Sequence, residues 1–347
     1  MSRKRMIGPD LNSRQIRVLY CISREYISTG KPVSSKQVLE HSNLNFSSAT
    51  VRNDMRKLEF LGYINQPHTS AGRVLTDKGL RFYFDSIKSI SRDLQESNVA
   101  IAIRQASFMG DIERLLQGMT RILARAASAF VIIEKPKLDR LVVRSVSISR
   151  IAEGYLNVSV ITDLGVSLNT TVFTGLNEFD VDAFQKQINM AVVGKTVGEI
   201  RKGIRNVEIK EDQWYDRRVQ EILHFLQSIF DKENEEKYFR YGLEFVIASE
   251  FLDSQDVIDL VKAVENPKSL DGLLKELGEV DSPKAFIGQE IGRNDMKNYS
   301  IFASPYTRND EKIGTVYIVA PKLSYYEKIT GYLEFSINRL SEVFSNR

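Results

Sequence analysis

Arginine, asparagine and lysine side chains recur on one side of a short segment near residue 50, where they suit contact with DNA. Arg52, Asn53 and Arg56 carry planar donor groups that match guanine and adenine edges in a major groove. Lys57 can neutralise a phosphate. Apolar residues recur at helical spacing on the other side, at Val51, Met55, Leu58 and Leu61. The pattern predicts an amphipathic helix that reads DNA, although a solvated basic face on an ordinary helix has the same pattern.

The flanks of this segment add further donors. Ser47 and Ser48 offer oxygens that can cap the helix start. The loop-forming run 67–72 leads to Arg73, and its donors can reach phosphate or the minor groove. Alternatively, Arg73 pairs with a nearby acid such as Asp77 and supports the hairpin. The candidate DNA contacts are Ser47, Ser48, Thr50, Arg52, Asn53, Arg56, Lys57, His68, Thr69, Ser70 and Arg73.

The surrounding elements predict how this helix is held. Asn12 and Gln15 have the spacing of a capping box, and the helix that they begin ends at Gly30. Ser34 or Ser35 can cap a short second helix, and the third helix stops before Gly62. Three helices followed by strands near 63–65 and 73–75 predict a winged helix-turn-helix with the hairpin as its wing. A fourth helix begins after Thr76.

Charge is unevenly distributed along the chain. Residues 1–90 contain 15 Lys and Arg against 7 Asp and Glu, a net charge of +8. The whole chain has 48 against 45, or +3, so residues 91–347 have a net charge of −5. A basic N-terminal part on an acidic remainder is typical of a nucleic-acid-binding module.

The rest of the chain predicts a mixed domain with an insertion. A helical pattern covers 108–126, strand patterns cover 130–133, 141–148, 156–162 and 166–174, and later strands lie near 299–303 and 315–320 before a helix at 325–344. Residues 203–283 are mainly helical in pattern. A sheet begun before residue 175 and completed after 284 therefore implies an inserted module.

Composition argues against catalysis, metals and membranes. The three histidines and the single Cys21 lack metal-ligand spacing, and there is no Walker-type loop or nucleophile elbow. No apolar run approaches the roughly 20 residues of a membrane helix. We therefore expect a cytoplasmic protein that is not an enzyme and that has no cofactor and no metal.

Several of these segments resemble one family. The runs 47–53 and 67–73, with Arg14-Gln15 and 26–33, are similar to the HrcA family of bacterial heat-shock repressors. Weaker matches lie at Gly242, Ser249-Glu250-Phe251 and Ile287-Gly288-Gln289-Glu290, whereas Ser34, Leu75 and the segment 320–325 depart from the family pattern. The resemblance implies a winged helix, a GAF-like body with an inserted dimerising domain, an inverted-repeat operator of chaperone genes, and the chaperonin GroEL as a partner that promotes the active state.

The patterns, together with what the family resemblance implies, predict an α+β multidomain protein. The expected domains are a winged-helix DNA-binding domain at 1–90, a GAF-like domain at 91–202 and 284–347, and an inserted dimerising domain at 203–283. The expected function is repression of heat-shock operons by a homodimer on an inverted repeat. The alternative is a winged-helix regulator controlled by a small effector in the GAF-like domain. An apolar pocket with convergent polar groups in that domain would favour the alternative.

Overall fold

The chain folds into helices and β-sheets, described in a computed structural model for residues 11–42, 47–68, 71–87, 98–106, 112–173, 180–209, 230 and 237–346. The described helices are α1 Ser13–Thr29, α2 Ser35–Ser42, α3 Ser48–Phe60, α4 Asp77–Ile87, α5 Asn98–Ala106, α6 Ile112–Ala127, α7 Val181–Val192, α8 Val197–Ile209, α9 Leu243–Ile247, α10 Ser254–Val264, α11 Pro267–Glu276 and α12 Tyr326–Ser345. The described strands are β1 Ile64–Asn65, β2 Val74–Leu75, β3 Phe130–Glu134, β4 Val143–Ala152, β5 Tyr155–Thr162, β6 Ser167–Phe173, β7 Tyr238–Tyr241, β8 Lys284–Ile287, β9 Tyr299–Arg308 and β10 Glu311–Pro321.

Local signals in the sequence set the boundaries of the first helices. The Asn12 side chain accepts hydrogen bonds from the backbone N–H groups of Arg14 and Gln15, and the Gln15 side chain accepts one from the Asn12 N–H in return. Gly30 ends α1 with a φ of 66°, a conformation that glycine adopts without strain. The predicted capping box and glycine stop are therefore confirmed. We call the described residues between 11 and 87 the head.

A five-stranded antiparallel sheet organises the second half of the chain. Its strand order is β7-β3-β10-β9-β8. Alternate residues of each strand pack on opposite faces, as strand geometry requires. Val131 and Ile133 face the cluster that includes α6 and α12, whereas Phe130 and Ile132 face the cluster that includes α9, α10 and α11. We call this sheet with α5, α6 and α9–α12 the body.

The strands between 143 and 173 form a sheet of their own, which differs from the sequence expectation. β4, β5 and β6 pair in that order as a three-stranded antiparallel sheet. Helix α7 lies against β4, where the side chain of Asn189 donates to Val146 O and Gln185 accepts from Ile148 N. The main sheet instead gains β7, whose position falls inside the predicted insertion 203–283. The chain therefore leaves the main sheet after β3 and returns to it at β7. The sequence expectation differed because periodicity predicts a strand but not the strand with which it pairs.

Within the described part of the chain, none of the helices has the length and apolar character that crossing a membrane would need.

Candidate nucleic-acid interface

Helix α3 presents the predicted polar face to solvent and buries the predicted apolar face. Ser47 caps the helix, since its Oγ accepts from the N–H of Thr50 at 3.2 Å. Val51, Met55 and Leu58 are buried, and Leu61 just beyond the helix is half-buried. Exposed along the other side are Ser48, Arg52, Asn53, Arg56 and Lys57. The helical period read from the sequence is therefore confirmed at these positions.

Among the described residues of the head, the exposed side chains of α3 make weak contacts. Arg52 Nε lies 3.3 Å from Ser35 Oγ, and Arg56 Nη1 lies 3.4 Å from Asn53 Oδ1. Lys57 Nζ sits 5.1 Å from the centroid of the exposed Phe60 ring. These long contacts orient the side chains at little energetic cost to their release, so the groups can rearrange to meet a ligand.

The hydroxyl groups of Ser47 and Thr50 at the start of α3 are less available for binding DNA. Ser47 Oγ is engaged by the Thr50 N–H and lies 2.9 Å from Thr50 Oγ1. Thr50 is half-buried, whereas Ser48 is exposed. The first turn of α3 still offers free backbone N–H groups, as every helix start does, and these can bind an anion such as phosphate.

An ion pair between a buried carboxylate of α3 and a partly exposed arginine of α1 was missed by the sequence reading. Asp54 lies between the exposed Asn53 and Arg56, yet its side chain is only 4% exposed. Arg14 near the start of α1 donates to both carboxylate oxygens, at 2.6 and 3.1 Å. The sequence did contain a signal for this pair. An acidic residue on a helix that is predicted to bind DNA would repel phosphate unless a cation paired with it.

The hairpin β1–β2 lies beside α3 and is joined to the α1–α2 connection. Val33 and Arg73 exchange two backbone hydrogen bonds of 2.8 Å. Gly72 lies so close that an added Cβ would approach the Val33 carbonyl carbon to 2.5 Å. Near the tip, Gln66 Nε2 donates to Ala71 O at 3.0 Å. The hairpin is therefore held at both its base and its tip.

Two of the predicted hairpin contacts can be placed, and two lie outside the described residues. His68 is exposed at the tip, while Thr69 and Ser70 are not described. Arg73 forms an ion pair with Glu59 of α3, with Nη2 and Nε at 3.0 and 3.1 Å from Oε2. The alternative, that Arg73 pairs with a nearby acid, is therefore confirmed, but the acid is Glu59 and not Asp77, whose carboxylate accepts hydrogen bonds from Lys322 and Gln289.

A cavity of about 700 Å³ lies near the end of β3. Its walls combine apolar side chains with charged ones that pair with each other, including Lys135 with Glu113 and Lys237 with Asp271. Burial alone would raise the pKa of Asp271, but hydrogen bonds from Lys237 and Tyr238 lower it. Among the described residues, no group of three His, Cys, Asp or Glu side chains is arranged to hold a metal ion.

Comparison with known proteins places the chain among transcription repressors. Residues 113–330 match the family model described as HrcA protein C terminal domain. The heat-inducible transcription repressor HrcA of Thermotoga petrophila is 38% identical over 336 residues, which cover 97% of this chain and 95% of that protein. The HrcA of Syntrophobacter fumaroxidans is 26% identical over 339 residues, covering 96% of this chain and 97% of that protein.

A solved structure resembles the whole chain. A crystal structure described as that of a hypothetical protein is 37% identical and has a TM-score of 0.74, covering 97% of this chain and 99% of its own. The mixed helix-and-sheet fold is therefore shared with a solved protein over nearly its full length. The named relatives regulate transcription and are not enzymes. The family match and the identity over nearly the whole chain lead to one assignment: the chain belongs to the HrcA family of heat-inducible transcription repressors.

Proposed function

We propose that the head is a winged helix-turn-helix and that the chain represses transcription by inserting α3 into the major groove of operator DNA. The observation that carries this proposal is the exposed row Arg52, Asn53, Arg56 and Lys57 on a helix whose opposite side is buried. The 13 residues of α3 make a rod of about 20 Å, which fits a groove about 12 Å wide.

The contacts divide by chemistry. Arg52, Asn53 and Arg56 have the donor groups that read base edges, so we assign specificity to them. Lys57, Ser48 and the free N–H groups at the start of α3 bind phosphate. The hairpin acts as the wing, with His68 exposed near its tip; Thr69 and Ser70 stay predicted contacts from the sequence. Arg73 we assign to holding the wing against α3, because its guanidinium is already paired with Glu59.

Two copies are needed for a long operator. One helix reads only a few base pairs, whereas two heads about 34 Å apart can enter successive major grooves of an inverted repeat. We propose that the body is the GAF-like domain and that dimerisation involves the excursion between β3 and β7. This division replaces the insertion expected at 203–283, since the helices α9, α10 and α11 pack on the main sheet.

The target genes and the regulating partner follow from the family resemblance alone. We propose that the operator controls chaperone genes and that the chaperonin GroEL promotes the DNA-binding state. Repression then results from occlusion of the promoter by the bound dimer.

The test of the proposed function is selection of DNA by the full chain. A random-sequence duplex pool should yield an inverted repeat, and light scattering should show two chains per duplex. Arg52→Ala should lower affinity for the selected duplex more than for a scrambled one. Arg125→Ala serves as the control, since it removes an exposed arginine from α6, outside the head and outside the excursion between β3 and β7. A selected pool without symmetry, or one chain per duplex, would contradict the dimer mechanism.

A second candidate is an effector-controlled regulator, which the body cavity favours. Its volume of about 700 Å³ is large enough for a small molecule. Against this stands the pairing of its charged groups with one another, which leaves Lys135, Glu113, Lys237 and Asp271 already engaged. A metabolite-library screen by melting temperature would support this candidate if a hit also changed DNA affinity.

A further inference from the structure

Helix α4 of the head contacts two loops of the body through the carboxylate of its first residue, Asp77. Lys322 Nζ lies 2.9 Å from one oxygen of Asp77, and the backbone N–H of Gln289 lies 3.0 Å from the other. Gly288 has a φ of 58°, and a Cβ added there would lie 2.3 Å from Oδ2 of Asp77. Only glycine allows the carboxylate to approach this backbone so closely.

A second ion pair lies one helical turn further along α4. Arg81 Nε donates to one oxygen of Glu290 at 2.9 Å, and its Nη2 donates to the other oxygen and, at 2.5 Å, to Ala285 O. Both Glu290 oxygens and a body carbonyl are thus engaged by a single side chain. Such a fork fixes orientation as well as distance.

Aromatic side chains complete the contact. The Phe84 ring lies 5.9 Å from that of Phe302 and 6.3 Å from that of Tyr326, and the side chains of all three are buried. Tyr83 donates to Glu327 at the start of α12, with an O–O distance of 3.0 Å. Burial and then the Glu327 carboxylate raise the pKa of Tyr83, so its hydroxyl stays a donor at neutral pH.

The socket is defined here as Ala285, Gly288, Gln289, Glu290, Lys322 and Glu327. It combines the 287–290 motif with Lys322, which belongs to the segment 320–325 that departs from the family pattern. Phe251, part of the weaker family match at 249–251, also contacts the head. Its ring lies against Gly30, where an added Cβ would approach Cε1 of Phe251 to 2.5 Å. The segments 287–290 and 320–325 and the residue Phe251, which the family comparison marked in the sequence, therefore all contact the head.

With the head seated in this socket, the DNA-facing side of α3 remains open. Arg52, Asn53, Arg56 and Lys57 are all exposed in the structure. The body therefore grips the head through α4 and the end of α1, and it leaves the proposed recognition surface free.

We propose that the socket is a positioning device that fixes the orientation of the head on the body, with Lys322 and Glu290 as its positioning residues, and that operator selectivity for half-site spacing depends on it. This inference rests on the proposed function, since spacing matters only if two heads bind one inverted repeat. A head held in place loses little orientational freedom on binding, whereas a released head must be ordered by the DNA. A released head also reaches several spacings, so its effective concentration at the correct half-site falls.

The test uses the full chain and four variants on three duplexes. The duplexes are the inverted repeat selected by the wild type, the same repeat with a half-turn inserted between half-sites, and a scrambled sequence. Lys322→Gln and Glu290→Gln each break one ion pair of the socket. Lys322→Arg keeps the charge opposite Asp77, and Lys297→Gln is the matched control because Lys297 is an exposed body lysine outside the socket.

Both socket-breaking variants should bind the selected repeat about tenfold more weakly and should lose most of the preference for it over the half-turn insertion. Binding to the scrambled duplex should stay within about twofold of wild type, since the cationic face of α3 is intact. Lys322→Arg should restore the spacing preference, and Lys297→Gln should leave it unchanged. The two variants change net charge in opposite directions, so a bulk charge effect would move their affinities in opposite directions.

Several outcomes overturn the inference. They are unchanged spacing preference in both variants, tighter operator binding in both, or affinity changes of opposite sign that follow net charge. If the wild type selects an inverted repeat but the variants behave like it, only the socket proposal fails. If the wild type selects no inverted repeat, the proposed function fails and the socket proposal fails with it.

Discussion

Replacing Arg73 by alanine should loosen the hairpin from α3 without removing a phosphate contact. In the structure Nη2 and Nε of Arg73 both approach a single oxygen of Glu59, and the two side chains are 18% and 34% exposed. The pair therefore lacks the two-oxygen geometry of the strongest arginine–carboxylate contacts and is screened by water. Such a pair contributes about 0.5–1 kcal/mol.

The expected result is a matching loss in two variants. Arg73→Ala and Glu59→Gln should each lower the free energy of unfolding by about 0.5–1 kcal/mol. The double variant should lose little more than the larger single loss, because both changes remove the same contact. Urea unfolding of the three variants and wild type measures this coupling. Strictly additive losses would show that the pair is not a stabilising contact.

DNA titrations over a range of salt concentrations decide the role of Arg73 in binding. If Arg73 only supports the hairpin, both variants keep the wild-type slope of log affinity against log salt. If instead Arg73 leaves Glu59 for a phosphate, Arg73→Ala should reduce the slope by about one unit. Glu59→Gln would then tighten binding, since it frees the guanidinium. That pair of results would refute the assignment of Arg73 as a structural tie.

Three further predictions concern other parts of the chain. Arg52→Ala should weaken specific binding by about 1–3 kcal/mol and relax one operator position, whereas equal loss on operator and scrambled DNA in titrations would indicate a phosphate contact. Residues 1–90 alone should bind operator with only about the 10⁻⁴–10⁻⁶ M affinity typical of non-specific contacts, and near-native affinity in a titration would rule out the need for two joined heads. Asp271 has a lowered pKa when folded, so it stabilises the protein above the pKa of the unfolded chain and loses this effect as pH falls through the folded value. Asp271→Asn should therefore lower the melting temperature at neutral pH, and the difference from wild type should begin to shrink as pH falls below about 4; a constant difference down to pH 3 would contradict this.

The head was largely predictable because its signals are local. The capping box at Asn12, the stop at Gly30 and the buried side of α3 each depend on residues within one or two helical turns. Partners across the chain were not predictable in this way. Arg73 had acids on both sides in sequence, at Glu59 and Asp77, and only the folded hairpin shows which one it meets.

The strand pairing of the body could not be predicted from the sequence. Helical and strand periods located α12 and β9 well, but they carried no information on which strands pair. β7 and β8 are four residues each and too short for a period to be distinguished. The pairing of these strands is therefore visible only in the structure, where β7 joins the main sheet and the excursion lies between β3 and β7 instead of at 203–283. Lys322 was visible as a departure from the family pattern, yet its partner Asp77 lies far away in the chain.

The socket also has a consequence for the order in which the protein becomes complete during synthesis. Contacts inside the head join nearby residues, so the head can fold early as the chain leaves the ribosome. Phe84, however, packs on Phe302 and Tyr326, and Asp77 binds Lys322, which lies 245 residues further along the chain, so these partners are made long after the head. A nascent or truncated chain thus carries a folded head with an uncovered aromatic face. The head can therefore be seated only after β8, β9 and the start of α12 have been made and have folded.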